Sequence, residues 1–302
     1  MSELDDEQYP QFSMIMVKDF QINSGKMGLN YLEHPFFSLK SKGKDMTKFV
    51  YVSNDGKTKI EIRPDSGYGR FTIRDADFVA FIQAKLVKMV KNNELHTNTP
   101  TLVVETIEFL EFCNRSKGGQ SFYNIADMLR RLGGTIIEST RDLDDSKEKK
   151  ESTTIIDPEW QAVSEKVSDI NGKSQIIAFQ IKCREWFVKP IRESNDYLTI
   201  PREYFRIKND LHRRLWQIAR MHCGYPGKEF SITWEKLYNK VGTRQSLTTF
   251  RSKLRKEIKD KGGKLDILKY AITQSKDKRI VIFQPFRSVL EVKKNDEANS
   301  KE

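Results

Sequence analysis

Cysteine and histidine are scarce in this chain, three and four among 302 residues. Cys113, Cys183 and Cys223 are odd in number and widely spaced, which argues against a disulfide framework and predicts core cysteines in a reducing compartment. His34, His96, His212 and His222 form neither an HExxH nor a Cys/His zinc spacing, so no metal is expected. His222 beside Cys223 is the nearest approach to a cluster, and helix-end packing accounts for it. No Gly-rich loop ends in the GK[ST] that seats a nucleotide phosphate, and no nucleophile stands beside a base. No stretch approaches the roughly 18 apolar residues of a membrane span. The opening MSELDDEQYPQF is acidic where a secretory signal is basic and then apolar. The expectation is a cytoplasmic protein with no catalytic residue, no cofactor and no membrane partner.

Positive charge is abundant but confined. From Pro201 to Glu302 there are 25 lysines and arginines against 12 acids; residues 1–200 hold 28 against 30, so the net +11 is a localised field. A basic domain joined to a near-neutral one suits a polyanion, and nucleic acid is the commonest. With 37% apolar and 11% aromatic residues the chain can also bury substantial cores.

Residues 1–45 have turn formers and charges without sustained periodicity and read as a flexible arm. Phe49–Ser53 and Lys59–Arg63 flank Asn54-Asp55-Gly56, a hairpin signal. Asp75 offers an N-cap to an amphipathic helix reaching Lys91, with Phe78, Phe81, Ile82, Leu86, Met89 and Val90 as its stripe. A strand at Leu102–Glu105, a helix from Ile107 to about Asn114, a Gly118-Gly119 turn and a helix from Gln120 to Leu132 follow. Thr135–Thr140 is a strand, the charged 141–151 a loop, and Ile176–Ile181 a returning strand. This order is that of a winged helix, with 141–174 as a long wing.

The order then repeats. Leu211–Ala219 is a helix closed by Gly224, Phe230–Ile232 a strand, Trp234–Val241 a short helix ended by Gly242, and Thr243–Lys261 a long helix. Strands at Leu268–Thr273 and Ile280–Gln284 bracket a turn at 275–279. The fold class is therefore α+β, mainly helical, with two tandem winged-helix domains: an arm over 1–45, a first domain over 46–195, a second over 196–288, and a disordered charged tail over 289–302. A fragment from about 196 to 287 is expected to fold alone.

In the long helix, Leu247, Phe250, Leu254 and Ile258 form one apolar stripe. That leaves Gln245, Thr248, Thr249, Ser252, Lys256 and Lys259 on the far side, flanked by Arg251 and Arg255 on one shoulder and Lys253 on the other, with Arg244 just upstream. Short polar side chains suit base edges in the major groove, and longer cations suit phosphates on either wall. Lys276, Lys278 and Arg279 stand where a wing tip straddles the backbone or enters the minor groove. The corresponding first-domain helix, Gln120–Leu132, has only Arg130 and Arg131 against Asp127, so packing or a protein partner is its expected role.

Segments 197–207, YLTIPREYFRI, and 211–224, LHRRLWQIARMHCG, together with Ser246–Arg251, resemble the plasmid replication initiator protein A family, as do Phe71–Asp77 and Phe122–Thr140. The likeness spans about 45–285 and is strongest over 197–255. It implies a non-enzymatic protein of two winged helices that binds repeated double-stranded origin sequences, opens the adjacent A·T-rich duplex and brings in the host initiator and replicative helicase. It also implies a monomer–dimer equilibrium through the first domain, and it maps DNA reading onto 243–261 and 275–279. Two rivals remain. A transcriptional repressor could use the same fold. A rolling-circle initiator that nicks through a tyrosine would need closely spaced metal-binding histidines, which this chain lacks.

Overall fold

The computed structural model describes residues 14–16, 21–40, 42–144, 147–166, 174–224 and 228–286, and the structural statements below concern these. The expected tail at 289–302 and much of the expected arm lie outside them. The chain divides into two compact units: Lys40–Arg206 with the chain up to Gly28, and Leu29–Leu39 with the chain from Ile207 onward.

The first unit opens with β1 (Met14–Met16) and β2 (Gly25–Gly28), while α1 (Leu29–Glu33) joins the second unit. It continues through β3 (Phe49–Val52), β4 (Thr58–Arg63), α2 (Ala76–Lys91), β5 (Thr101–Glu105), α3 (Thr106–Phe112) and α4 (Gly119–Gly134). Four strands follow, β6 (Ile136–Asp144), β7 (Lys147–Thr153), β8 (Gln161–Lys166) and β9 (Ser174–Lys182). The unit ends in α5 (Glu185–Lys189), a π-turn at Pro190–Ser194, β10 (Tyr197–Ile200) and a 3-10 turn at Arg202–Arg206. The Asp-Gly hairpin forms where expected: Gly56 takes φ +77° and Ser53 N donates to the Thr58 carbonyl at 2.8 Å.

Several expectations are corrected here. Helix α2 is buried on nearly every side, Lys85 included, so it is the central rod of the unit and not a surface amphipath. The Asp75 carboxylate does not cap it: Oδ2 accepts from Thr72 N at 2.7 Å, and Arg131 holds both oxygens at 2.8 Å. Within the charged 141–151 stretch, residues 141–144 and 147–151 are strand, because backbone pairing seeded at Ile136–Thr140 carries on between β6 and β7. The described residues of the single long wing thus lie in two antiparallel strand pairs, β6–β7 and β8–β9, in two sheets, β3-β4-β6-β7 and β1-β5-β9-β8. The described residues form four sheets beside the helices, a mixed architecture of helix and strand. β10 pairs antiparallel with β2, which draws 197–206 into the first unit and moves its boundary past 195.

The second unit contains α6 (Asp210–His222), β11 (Phe230–Thr233), α7 (Trp234–Val241), α8 (Leu247–Asp260), β12 (Leu265–Ile267), β13 (Tyr270–Gln274) and β14 (Ile280–Pro285), with sheet order β11-β14-β13-β12. Leu215, Trp216, Leu237, Leu254, Ile258, Ile272, Val281 and Phe283 fill its core. The strand expected from Leu268 begins at Tyr270, since Leu268 and Lys269 take φ +30° and +66° in the hairpin turn.

Residues 29–39, expected within the arm, are part of this core. Tyr31, Leu32, Phe36 and Phe37 are buried, and the Tyr31 ring packs at a tilt against Phe36 and Phe37, with centroids 5.4 and 5.7 Å apart. Arg214, itself buried, donates to the carbonyls of Leu32 (2.9 Å), Glu33 (3.0 Å) and Lys240 (2.8 Å), joining the C-terminal ends of α1 and α7. Cation donors suit helix C-termini, whose last carbonyls lack intrahelical partners. A fragment of 196–287 would lack all of these apolar side chains, which argues against its folding alone.

Candidate nucleic-acid interface

Helix α8 takes the orientation its stripe predicts: Phe250, Leu254 and Ile258 are buried and Leu247 is half-buried. Gln245, Thr248, Thr249, Ser252, Lys253, Lys256 and Lys259 are exposed, and Arg244 is exposed just upstream. The helix starts at Leu247 and not at Thr243, because Ser246 Oγ accepts from Thr249 N at 3.2 Å and caps it. The turn from α7 is set by Gly242 at φ +67° and by the Tyr238 hydroxyl, which donates to the Gln245 carbonyl at 2.9 Å. Helix α7 is capped by Thr233, whose hydroxyl accepts from Lys236 N at 3.4 Å.

Not every candidate side chain is equally available. Thr249 Oγ1 lies 2.9 Å from Ser246 Oγ, so its hydroxyl is engaged at the cap. Arg251 Nη1 lies 3.9 Å from Glu235 Oε1 and is half-buried. Arg255 lies over the Trp234 ring, 5.1 Å from its centroid, and donates to the Lys278 carbonyl. Among the described residues no carboxylate is placed against Lys253, Lys256 or Lys259, so their charge faces solvent.

The 275–279 turn is built by its own short side chains. Ser275 Oγ accepts from Ile280 N at 3.1 Å, Asp277 Oδ1 accepts from Arg279 N at 3.1 Å, and Lys278 takes φ +60°. The Ser275 hydroxyl, then the Arg279 amide, holds the Asp277 carboxyl below its ordinary value. Lys276, Lys278 and Arg279 are exposed, the Arg279 side chain by 85%. A polar helix face and a cationic turn therefore sit on one scaffold, joined through Arg255. The anchors Trp234, Tyr238 and Arg214 were not legible as functional residues in the sequence; an aromatic at the first position of a short helix was the only cue.

The first unit's helix α4 carries only two cations, both engaged. Arg130 lies 3.1 Å from Asp127 and over the Tyr68 ring at 4.8 Å, and Arg131 clamps Asp75. Burial lowers the affinity of Arg131 for its proton, and the Asp75 hydrogen bonds and charge more than offset this, raising its pKa. The His222–Cys223 pair separates: His222 stacks on Phe230 at 4.1 Å with Nε2 3.1 Å from Glu33 Oε2, while the Cys223 thiol is buried and pushed up to about 11. Among the described residues no group of three His, Cys, Asp or Glu is placed to hold a metal ion, and no helix is long and apolar enough to cross a membrane.

The model of the family described as replication initiator protein A matches residues 26–262. The chain belongs to the replication initiator protein A family. A putative replication protein from Wigglesworthia glossinidia brevipalpis is 30% identical over 241 residues, spanning 80% of this initiator and 83% of the relative. Two crystal structures of domains 2 and 3 of RctB share its fold, with TM-scores of 0.58 and 0.53 at 15% and 16% identity. They cover 85% and 84% of the initiator and 96% of each RctB chain.

Proposed function

We propose that this initiator acts on a plasmid origin in the cytoplasm as a non-enzymatic, sequence-specific DNA-binding protein of two winged-helix units. The second unit binds the double-stranded repeats, with α8 in the major groove and the 275–279 turn against the flanking backbone. The first unit provides protein contacts, including a monomer–dimer equilibrium. Binding opens the adjacent A·T-rich duplex and brings in the host initiator and replicative helicase.

The observation that carries this reading is the exposed face of α8, Thr248, Ser252, Lys256 and Lys259, with Gln245 exposed just before its cap, beside a cationic turn on the same unit. A base-reading surface needs short polar groups at its centre and phosphate-reaching cations at its edges. Membership of a replication initiator family supports the reading of that surface as a DNA contact. The test is binding of the full chain to duplex from its own replicon, with permanganate footprinting of the A·T-rich tract. Site-specific retention with new permanganate reactivity supports the reading; equal affinity for all duplexes would overturn it.

A further inference from the structure

Two donors converge on one carbonyl at the tip of the β13–β14 turn. Trp234 Nε1, at the start of α7, donates to the Lys278 carbonyl at 3.1 Å, and Arg255 Nη2 donates to the same oxygen. The Arg255 guanidinium lies over the Trp234 ring, 5.1 Å from its centroid, and its Nε is buried without an acceptor. Lys278 N closes the turn on the Ser275 carbonyl at 2.8 Å. A carbonyl oxygen accepts two hydrogen bonds, so this one is fully used, and both donors come from the helix pair.

We propose that Arg255 is a positioning residue for DNA recognition and not one of the phosphate contacts. With Trp234 it locks the turn carrying Lys276, Lys278 and Arg279 at a fixed offset from the exposed face of α8, so that helix and turn meet the duplex as one preformed surface. To reach a phosphate, Arg255 would have to abandon both the indole face and the main-chain acceptor. Lys256 and Lys259 need abandon nothing. A turn fixed before binding spares the ordering entropy that a mobile one loses on the complex. Lysine cannot replace arginine here, since a compact ammonium cannot both cover the indole face and reach the Lys278 carbonyl as the extended guanidinium does. The inference rests on the α8 reading above.

The test uses the full chain and a short duplex that the wild-type chain selects from a randomised pool, with a scrambled duplex as reference. Arg255→Lys and Arg255→Gln are each expected to weaken binding about tenfold, because the turn's contacts are lost with its anchor. In a Lys276→Ala/Arg279→Ala background the same changes should cost less than about twofold. Trp234→Phe, which keeps a ring and removes the N–H, should repeat the pattern and stands in if an Arg255 variant fails to fold. Rescue by Lys, or losses that multiply across the two backgrounds, would overturn the positioning role. Thr248→Ala and Lys256→Ala separate the two failures. If neither changes affinity or discrimination, the α8 reading falls and the proposal with it. If they do and the losses still multiply, the positioning role alone falls.

Discussion

Arg214 Nη1 sits 2.9 Å from the carbonyl oxygen of Leu32, a residue 182 positions earlier in the chain. That contact makes residues 29–39 a component of the second unit. Its guanidinium also serves Lys240, whose ammonium pairs with Glu33. A chain from 207 to 286 is therefore expected to stay largely unfolded by circular dichroism, while one carrying 29–39 through a flexible linker should fold. Removing Leu32, Phe36 and Phe37 alone forfeits about 1.5–3 kcal/mol each. Arg214→Met should cost roughly 3 kcal/mol, since it strands buried carbonyls that water cannot reach. A cooperative melt from the unlinked fragment would show the segment to be dispensable.

Regular helices were legible because their periodicity is local: Phe250, Leu254 and Ile258 announce the orientation of α8 without knowledge of any other element. The 29–39 segment, LNYLEHPFFSL, has the apolar residues but no sustained period, and its burial depends on partners supplied from beyond Ile207. The β6–β7 strand pair hid for a related reason. A run of charged residues reads as loop, and only backbone pairing between β6 and β7 makes it strand. The wheel matched the burial of the residues that lie on α8 but put Gln245 on a helix that begins only at Leu247, and it gave no sign that Arg255 and the Thr249 hydroxyl are already engaged.

Acid should loosen the same segment. Burial raises the Glu33 carboxyl, but close contact with His222 and the hydrogen bond and charge of Lys240 outweigh it and bring the group from 4.5 to about 2. A depressed carboxylate contributes stability that is complete above the unfolded value of 4.5 and is lost as pH falls towards 2. With the side chain 28% exposed, solvent screening holds the contribution to about 1–2 kcal/mol. Urea titrations of wild type and Glu33→Gln should therefore differ near neutrality and converge in acid. A gap that stays constant across the range would contradict the depressed value.

Substitutions on α8 should divide by position. Lys256→Ala and Lys259→Ala are expected to weaken binding to every duplex and to reduce the salt slope, each by close to one unit, from about −5 for a surface meeting six phosphates. Thr248→Ala and Gln245→Ala should instead erode discrimination, by about 1–3 kcal/mol where a base contact is lost. Leu254→Lys should unfold the unit, because it places a charge where the core is closed. Titrations at several salt concentrations with selected and scrambled duplexes distinguish the classes, and a harmless Leu254→Lys would refute the helix orientation.

The first unit should tolerate loss of its helix cations as far as DNA is concerned. Arg130 and Arg131 are spent on Asp127, Tyr68 and Asp75, so neither reaches outward as a free charge. Arg131→Ala removes a bidentate partner from the buried Asp75, whose other bond is to Thr72 N, and should destabilise the unit by about 3 kcal/mol. Affinity for a single duplex site, measured on the fraction that remains folded, should be unchanged. Sedimentation of the same variant should show a shifted monomer–dimer balance if the unit supplies the protein contacts proposed for it. A loss of duplex affinity without any change in self-association would reverse the division of labour between the two units.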